Sequence, residues 1–215
     1  MMGSVHEIKT ASTPHNIIEN IGLFPTPVQI ITNPKGVCQK DVDFCVNAKY
    51  RKNTGNSRSI ESYILDKKEL KNLKSWIEQA VLTYFFEIYQ PVHEVSLRIT
   101  QSWINKTCVG EFNHHHTHPN SFISGVYYFK GNDDDKIHFG KNKHEPIKIP
   151  TKNPNLANAT SWWLPAKQGT LILFPSSLPH WVNTVENKNT RYSLAFNTFP
   201  IGIVGDNVEL TELKL

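Results

Sequence analysis

Cysteine is scarce in this chain of 215 residues: Cys38, Cys45 and Cys108 are the whole complement, and no two form a CxxC pair. An odd number at such low density argues against a disulfide-built fold. Long apolar runs are missing too. No eighteen consecutive apolar residues occur, and the N-terminus has no basic start followed by an apolar segment. The reading is therefore a protein without a membrane span, in a reducing cytoplasm. Asn105-Lys106-Thr107 and Asn158-Ala159-Thr160 then read as chance matches to glycosylation sites. A basic stripe is also absent. The net charge is only +4, and the lysines are scattered, so nucleic acid is not indicated as a partner. The densest group, Lys67–Lys74, has the look of a helix's wet face. There are no repeats, and the only biased segment is a histidine tract. What is abundant is aromatic: five Trp, seven Tyr and eleven Phe within 39% apolar residues, enough to build a core. One domain over 1–215 is expected. It divides into a tail (1–16), a lead-in with helices (17–91), a strand-rich core (92–199) and a C-terminal tail (200–215).

The histidine tract, Glu111-Phe112-Asn113-His114-His115-His116-Thr117-His118-Pro119-Asn120-Ser121, concentrates four of ten histidines in five residues. An apolar run, Phe122 to Phe129, follows at once. Read as a strand, the tract places His114, His116 and His118 on one side and His115 and Thr117 on the other. Residues two apart are about 6.6 Å apart at the backbone, so both imidazoles of an HxH pair reach one ion. A solvated polar tract that binds metal only incidentally is the competing reading.

Around this tract the pattern changes once. Leu23 to Ile31, with Pro25 and Pro27, reads as an extended lead-in suited to a sheet edge. Gly36–Lys52 reads as a helix with Cys38, Val42 and Cys45 on its core face. Lys52–Ser59 reads as a polar connection. Asp66–Gln90 is the clearest helix, with Asp66 and Glu69 at capping-box spacing, an apolar stripe from Leu70 to Ile88, and Pro91 as its stop. From residue 92 the period becomes two. Val95, Leu97 and Ile99 alternate with polar residues, and Trp103-Ile104-Asn105 extends that strand. After Ile123–Lys130 and a turn at Gly131–Asp135, Ile137-His138-Phe139 reads as the return of a hairpin. Residues 140–165 are loop-like; their Trp162-Trp163 could cap the core or line a substrate mouth. Gly169–Pro175, Trp181–Asn183 and Arg191–Thr198 complete the strands. Helices followed by about seven short strands make the fold class α+β, with a sheet sandwich or barrel.

An ion held by two residues of one strand needs a third ligand from elsewhere. His180, after the apolar strand Leu171–Phe174, is the first candidate; His138, His144 and His93 are weaker, and His6 and His15 read as structural or exposed. Arg191 stands at the head of an apolar strand. Alternation puts Arg191, Ser193, Ala195 and Asn197 on one face, with Tyr192, Leu194 and Phe196 on the other. A guanidinium there either lies at the strand's wet end, pairs with Glu186, or grips a small carboxylate bidentately.

The ordered series Trp103-Ile104-Asn105, His116-Thr117-His118-Pro119-Asn120, Ser124-Gly125-Val126-Tyr127-Tyr128, Gly169 to Ser176, His180 and Arg191-Tyr192-Ser193-Leu194-Ala195-Phe196-Asn197 resembles a little-characterised family of 2-oxoglutarate/Fe(II)-dependent oxygenases from marine bacteria and cyanophages. The resemblance runs from about Leu23 to Asn197. It implies a double-stranded β-helix (jelly roll) with N-terminal helices packed on one sheet. It also implies a dioxygenase, acting as a hydroxylase, that uses Fe(II) with 2-oxoglutarate and O2 as co-substrates. If the chain is phage-encoded, the cytoplasm is the host's. Carried over, His116 and His118 take the paired metal positions and His180 the distal one. Arg191 grips the far carboxylate of 2-oxoglutarate, Ser193 completes an Arg-x-Ser arrangement, and Tyr128 hydrogen-bonds the same carboxylate. Asn105 and Asn197 fit the pattern without an assigned role.

One departure is chemical. His118 stands where the wider superfamily has a carboxylate, so the 2-His-1-carboxylate triad expected for non-haem iron becomes three imidazoles, a set that also suits Zn, Cu or Ni. Glu111 and Asp133–Asp135 would need a rearranged geometry to supply the missing charge. His114-Xaa-His116 is an alternative register with the same parity as His116-Xaa-His118. Two further readings stay open: a cupin-like three-His metalloenzyme without 2-oxoglutarate, and a non-catalytic jelly-roll binding or virion-associated protein.

Overall fold

The computed structural model describes residues 7–8, 20–141, 147 and 149–215. Most of the 1–16 tail, with His6 and His15, and His144 in the long loop lie outside the described residues. Strand β1 (Glu7–Ile8) pairs with β2 (Asn20–Ile21) as a small separate ladder. The remaining elements follow as β3 (Gln29–Thr32), α1 (Gln39–Val46), β4 (Tyr50–Lys52), β5 (Ser57–Ser59), α2 (Lys71–Tyr89), β6 (Val95–Thr107), β7 (Asn113–His116) and β8 (Ile123–Lys130). Then come β9 (Lys136–Gly140), β10 (Ser161–Pro165), β11 (Thr170–Pro175), β12 (His180–Val182), β13 (Arg191–Val204) and β14 (Leu213–Lys214).

Two antiparallel sheets face each other in a double-stranded β-helix. The major sheet runs β3-β11-β8-β13-β6-β5-β4, with β14 on the end of β13; the minor sheet runs β10-β9-β12-β7. The outer face of the major sheet is covered by helices. Leu73, Ile77, Val81, Tyr84 and Phe85 of α2 pack with Ile104, Tyr127, Phe129, Leu171, Leu173, Leu194 and Phe196. Each fully buried Leu, Ile or Phe contributes about 1.5–3 kcal/mol from burial. A second, smaller cluster (Val126, Tyr128, Ile137, Phe139, Ile172, Phe174 and Leu178) lies on the inner faces, between the sheets.

Several expectations are corrected. The helix expected over Gly36–Lys52 is α1 alone, because residues 50–52 leave it to pair with β5. The polar connection Lys52–Ser59 is therefore half of a hairpin, β4–β5, at the major sheet's edge. The Asp66/Glu69 capping box does not form. Short 3-10 turns occupy 64–66 and 68–70, α2 starts at Lys71, and Asp66 pairs with Lys74 instead at 2.8 Å. The helix stops at Gln90 in the left-handed conformation (φ 44°), just before Pro91. The expected hairpin of Ile123–Lys130 with Ile137–Phe139 is split: β8 joins the major sheet, while β9 crosses to the minor one. β13 runs on to Val204, past the boundary at 199, and β14 pairs with its end.

β6 changes face midway. Its pairing with β13 slips by one residue between Phe196 and Thr198, which is a β-bulge. Below it Val95, Leu97 and Ile99 pack on the helical layer. Beyond it the same odd parity, Gln101, Trp103, Asn105 and Thr107, looks into the space between the sheets.

Candidate metal centre and carboxylate pocket

The inner face of the major sheet and the concave side of the minor sheet enclose a cavity of about 340 Å³. Four histidines line it, His114 among them, and three, from different elements, converge. His116 ends β7, His118 lies two residues on in the following turn, and His180 begins β12, directly opposite His116 in the minor-sheet register. Their nearest donor atoms all lie within 4.8 Å of one another. The expected strand through His118 ends at His116; the amide of His118 instead donates to the Ser176 carbonyl (3.0 Å), which holds the turn against the loop leading to His180.

The ring orientations are set by the other nitrogen of each imidazole. Nδ1 of His116 donates to the His114 carbonyl (2.7 Å), and Nδ1 of His180 donates to the Leu178 carbonyl (2.9 Å). Both Nε2 atoms are thereby left as lone-pair donors, the second-sphere arrangement typical of metal-bound histidine. Nε2 of His118 and Nε2 of His180 are 3.1 Å apart. Two nitrogens held about 2.1 Å from one ion at a right angle would be about 3.0 Å apart (2.1 × √2). Burial, reinforced by the neighbouring imidazoles, pushes His180 down to about 3 and His118 down to about 4, and burial also lowers His116. All three are neutral at pH 7, the form that binds a metal.

The sequence left two HxH registers open; the one that converges is His116/His118. His114 is exposed, although its ring lies beside that of His116. His115 points to the outer side, where it and His138 flank Trp181. His93 is exposed at the end of the helical region. Among the described residues, no Asp or Glu lines the cavity. Glu111 is turned to the Cys108 amide and to Lys52, and Asp135 accepts from the Asn132 amide.

Arg191 enters from β13 and is 3% exposed, not at a wet strand end. Its Nη1 donates to the Lys136 carbonyl (3.1 Å), and its guanidinium carbon lies 5.0 Å from the centre of the Tyr128 ring. It makes no ion pair with Glu186 or with any other described carboxylate. The Tyr128 hydroxyl is buried without a hydrogen-bond partner; burial pushes its pKa up to about 12 against the pull of Arg191. An uncompensated guanidinium beside an orphaned hydroxyl is costly unless a ligand completes the set. Ser193, buried and paired in register with both Asn105 and Tyr128, lines the same cavity. Asn197 does not: its Oδ1 accepts from Ser124 (3.0 Å). Asn105 is a buried strand residue, inaccessible to glycosylation.

Trp162 and Trp163 neither cap the core nor line this cavity. They stand about half exposed on β10, at the minor sheet's edge, with Lys136 Nζ 4.3 Å above the Trp163 ring. The tryptophan of the cavity is Trp103, whose ring is 5.7 Å from that of His118. The lining residues missed by the sequence reading include Asn53, Asn56, Arg58 and Ser62, on or beside the β4–β5 hairpin. The signal that could have exposed them was the alternation of Ser57-Arg58-Ser59, too short to stand out.

Three convergent histidines beside a buried cationic pocket, between the sheets of a double-stranded β-helix, make a candidate mononuclear metal centre. The family described as "Putative 2OG-Fe(II) oxygenase" matches residues 101–197, the stretch that holds the three histidines and Arg191. Solved structures agree on the fold. HygX from Streptomyces hygroscopicus, with nickel and 2-oxoglutarate bound, aligns over 81% of this chain and 83% of its own, at 12% identity and a TM-score of 0.56. A Trichoplax adhaerens prolyl hydroxylase in complex with a hypoxia inducible factor peptide aligns over 80% and 83%, at 15% identity and TM-score 0.55. A Pseudomonas putida prolyl-4-hydroxylase aligns over 80% and 92%, at 14% and 0.53. No curated protein sequence matches the chain. No described helix is long and apolar enough to cross a membrane.

Proposed function

We propose that this chain is a 2-oxoglutarate-dependent dioxygenase that hydroxylates its primary substrate, with His116, His118 and His180 as ligands of Fe(II). The observation that carries this reading is Arg191: a buried guanidinium with no carboxylate partner, opening on the same cavity as three neutral, convergent imidazoles. Bound Fe(II) would supply oxidative decarboxylation of 2-oxoglutarate by O2, coupled to oxidation of a substrate C–H bond. The protein's own part is positioning and electrostatics. Arg191 and the Tyr128 hydroxyl hold the far carboxylate of 2-oxoglutarate, with Ser193 beside them. The backbone carbonyls of His114 and Leu178 keep two imidazoles in the metal-binding tautomer. Val126, Ile137 and Phe174 make the inner wall apolar, excluding water from the reacting end. A cytoplasmic setting belongs to the same reading; all three cysteines are unpaired.

The lack of any Asp or Glu among the described residues of the cavity lining favours a second reading, a three-His metalloenzyme that does not take 2-oxoglutarate. Anaerobic titration of the protein with Fe(II) and 2-oxoglutarate separates the two through the visible charge-transfer band of the chelate. The band is expected in the wild type and in His114→Ala, and is expected to vanish in His118→Ala and His180→Ala. A folded, Fe(II)-loaded protein without the band would move the assignment to the second reading.

A further inference from the structure

The cavity holds a second arginine that the mechanism above leaves unused. Arg58 lies on β5 in register with Asn105 of β6, which in turn pairs with Ser193 of β13. It is thus two strands from Ser193, about 10 Å at the backbone. Arg191 leans the other way, over Tyr128 of β8 and onto Lys136 of β9. The two cations serve opposite ends of one cavity.

Arg58 is half-buried and makes no ion pair within 4 Å of any described carboxylate. Its Nη1 donates to the Ser59 carbonyl (3.1 Å) and the Ser62 hydroxyl (3.4 Å), so the guanidinium is held in place while Nε and Nη2 stay unengaged. Asn56, beside it on the hairpin turn, is 1% exposed, and its Nδ2 has no hydrogen-bond partner. A buried amide left unsatisfied costs about 1–3 kcal/mol, which an acceptor on a ligand would recover. Both residues line the cavity.

The hairpin is also fixed relative to the metal ligands. Phe112, immediately before β7, donates its amide to the Gly55 carbonyl (2.9 Å), and Lys52 pairs with Glu111 (3.1 Å). Gly55 has φ +85°, and a Cβ there would lie 2.7 Å from the Phe112 carbonyl oxygen. The turn that presents Asn56 and Arg58 is thereby clamped to the strand that presents His116.

We infer that Arg58 and Asn56 form the recognition site for the primary substrate, and that this substrate carries a carboxylate. The inference rests on the oxygenase reading for what lies beside that site. The unengaged groups are all donors, and among the described residues no acidic side chain lines the cavity, so the ligand must be an acceptor and is favoured by negative charge. One guanidinium edge and one amide match a monoanion taken bidentately; a doubly charged phosphate would leave charge unpaired. A cavity of about 340 Å³ is near the lower end for small-molecule sites. With 2-oxoglutarate at the Arg191 end, only a small carboxylate-bearing group enters.

The test uses the full chain loaded with Ni(II) and 2-oxoglutarate, so that no turnover intervenes. Binding of paired probes is measured by calorimetry: acetate with acetamide, benzoate with benzamide, N-acetylglycine with its amide, and inorganic phosphate. At least one carboxylate is expected to bind tenfold or more tightly than its amide. Arg58→Gln should erase that preference, and Arg58→Lys, keeping charge without the fork, should reduce it partway. Affinity for 2-oxoglutarate should stay within about twofold in both variants, which also shows that they are folded. Carboxylates and amides binding alike, no carboxylate binding to the 2-oxoglutarate-loaded wild type, binding of phosphate alone, or a preference that survives Arg58→Gln would each overturn the inference. If the wild type fails to bind 2-oxoglutarate yet holds carboxylates through Arg58, the oxygenase reading falls and the subsite stands.

Discussion

Arg191→Met separates a ligand-gripping arginine from a structural one, because the two roles predict opposite changes in stability. In the free protein the guanidinium is 3% exposed, with one hydrogen bond to the Lys136 carbonyl, the Tyr128 ring below it and no counter-ion. Its burial is a cost that ligand binding would repay. Methionine keeps most of the apolar stem and removes the charge, so stability should be unchanged or higher, as when buried ionic groups give way to apolar residues. Binding should move the other way. Truncating one partner of a buried, hydrogen-bonded charge pair costs about 2–5 kcal/mol. At 1.4 kcal/mol per tenfold, that weakens 2-oxoglutarate by roughly 30-fold to several thousand-fold. Anaerobic titration monitored at the charge-transfer band gives the affinity, and a thermal scan of the metal-free protein gives Tm. For a chain of this size, 1 kcal/mol shifts Tm by about 2–4 °C. A variant that melts many degrees lower yet binds 2-oxoglutarate like the wild type would refute the reasoning, since Arg191 would then be paid for within the fold.

The depressed histidines predict how acid acts on the metal-free protein. His180 (about 3) and His118 (about 4) titrate below their unfolded value of 6.5, so between those limits the unfolded chain binds more protons. Their stabilisation is complete above pH 6.5 and is lost as pH falls toward the folded values, at up to about 1.4 kcal/mol per pH unit for each. Thermal scans in EDTA from pH 7.5 to 5 should show this fall, and His180→Gln should flatten it; an equal slope in the variant would count against the neutral pair. Gly55→Ala should lower Tm and weaken carboxylate binding together, because the φ of +85° and the close Phe112 carbonyl both oppose a side chain there. Unchanged carboxylate binding in a destabilised Gly55→Ala protein would mean the hairpin's position does not matter to the site.

Much of the centre was legible because strand alternation is a local property. The facing of His116 and the split of β13 into Arg191, Ser193 and Ala195 against Tyr192, Leu194 and Phe196 follow from a period of two, and the structure keeps that split. His180 could be nominated because it follows an apolar strand. Its place opposite His116, however, depends on β12 pairing with β7 across 64 residues of chain. The His116/His118 register could not be chosen from parity, since His114 shares it. That choice is made by the Ser176 carbonyl, which holds the His118 amide in a turn beyond the strand's end. Helix ends were less legible. Lys52–Ser59 is polar because it is an edge hairpin whose Asn53, Asn56 and Arg58 line the cavity, and local propensity does not distinguish that from a loop.

The sequence by itself determined the class of fold, the histidines among which a metal set must be sought and an arginine at the head of an apolar strand, since each is carried by composition and short-range periodicity. Only the tertiary structure decided which faces meet. The bulge in β6 turns Trp103, Asn105 and Thr107 inward although they share odd parity with Val95 and Leu97, which pack outward on the helices. The same packing leaves Arg191 without a carboxylate and sets Arg58 at the cavity's other end. One slipped residue reverses every side chain beyond it, and a slip is defined only by the pairing of two strands, which alternation within one strand does not carry.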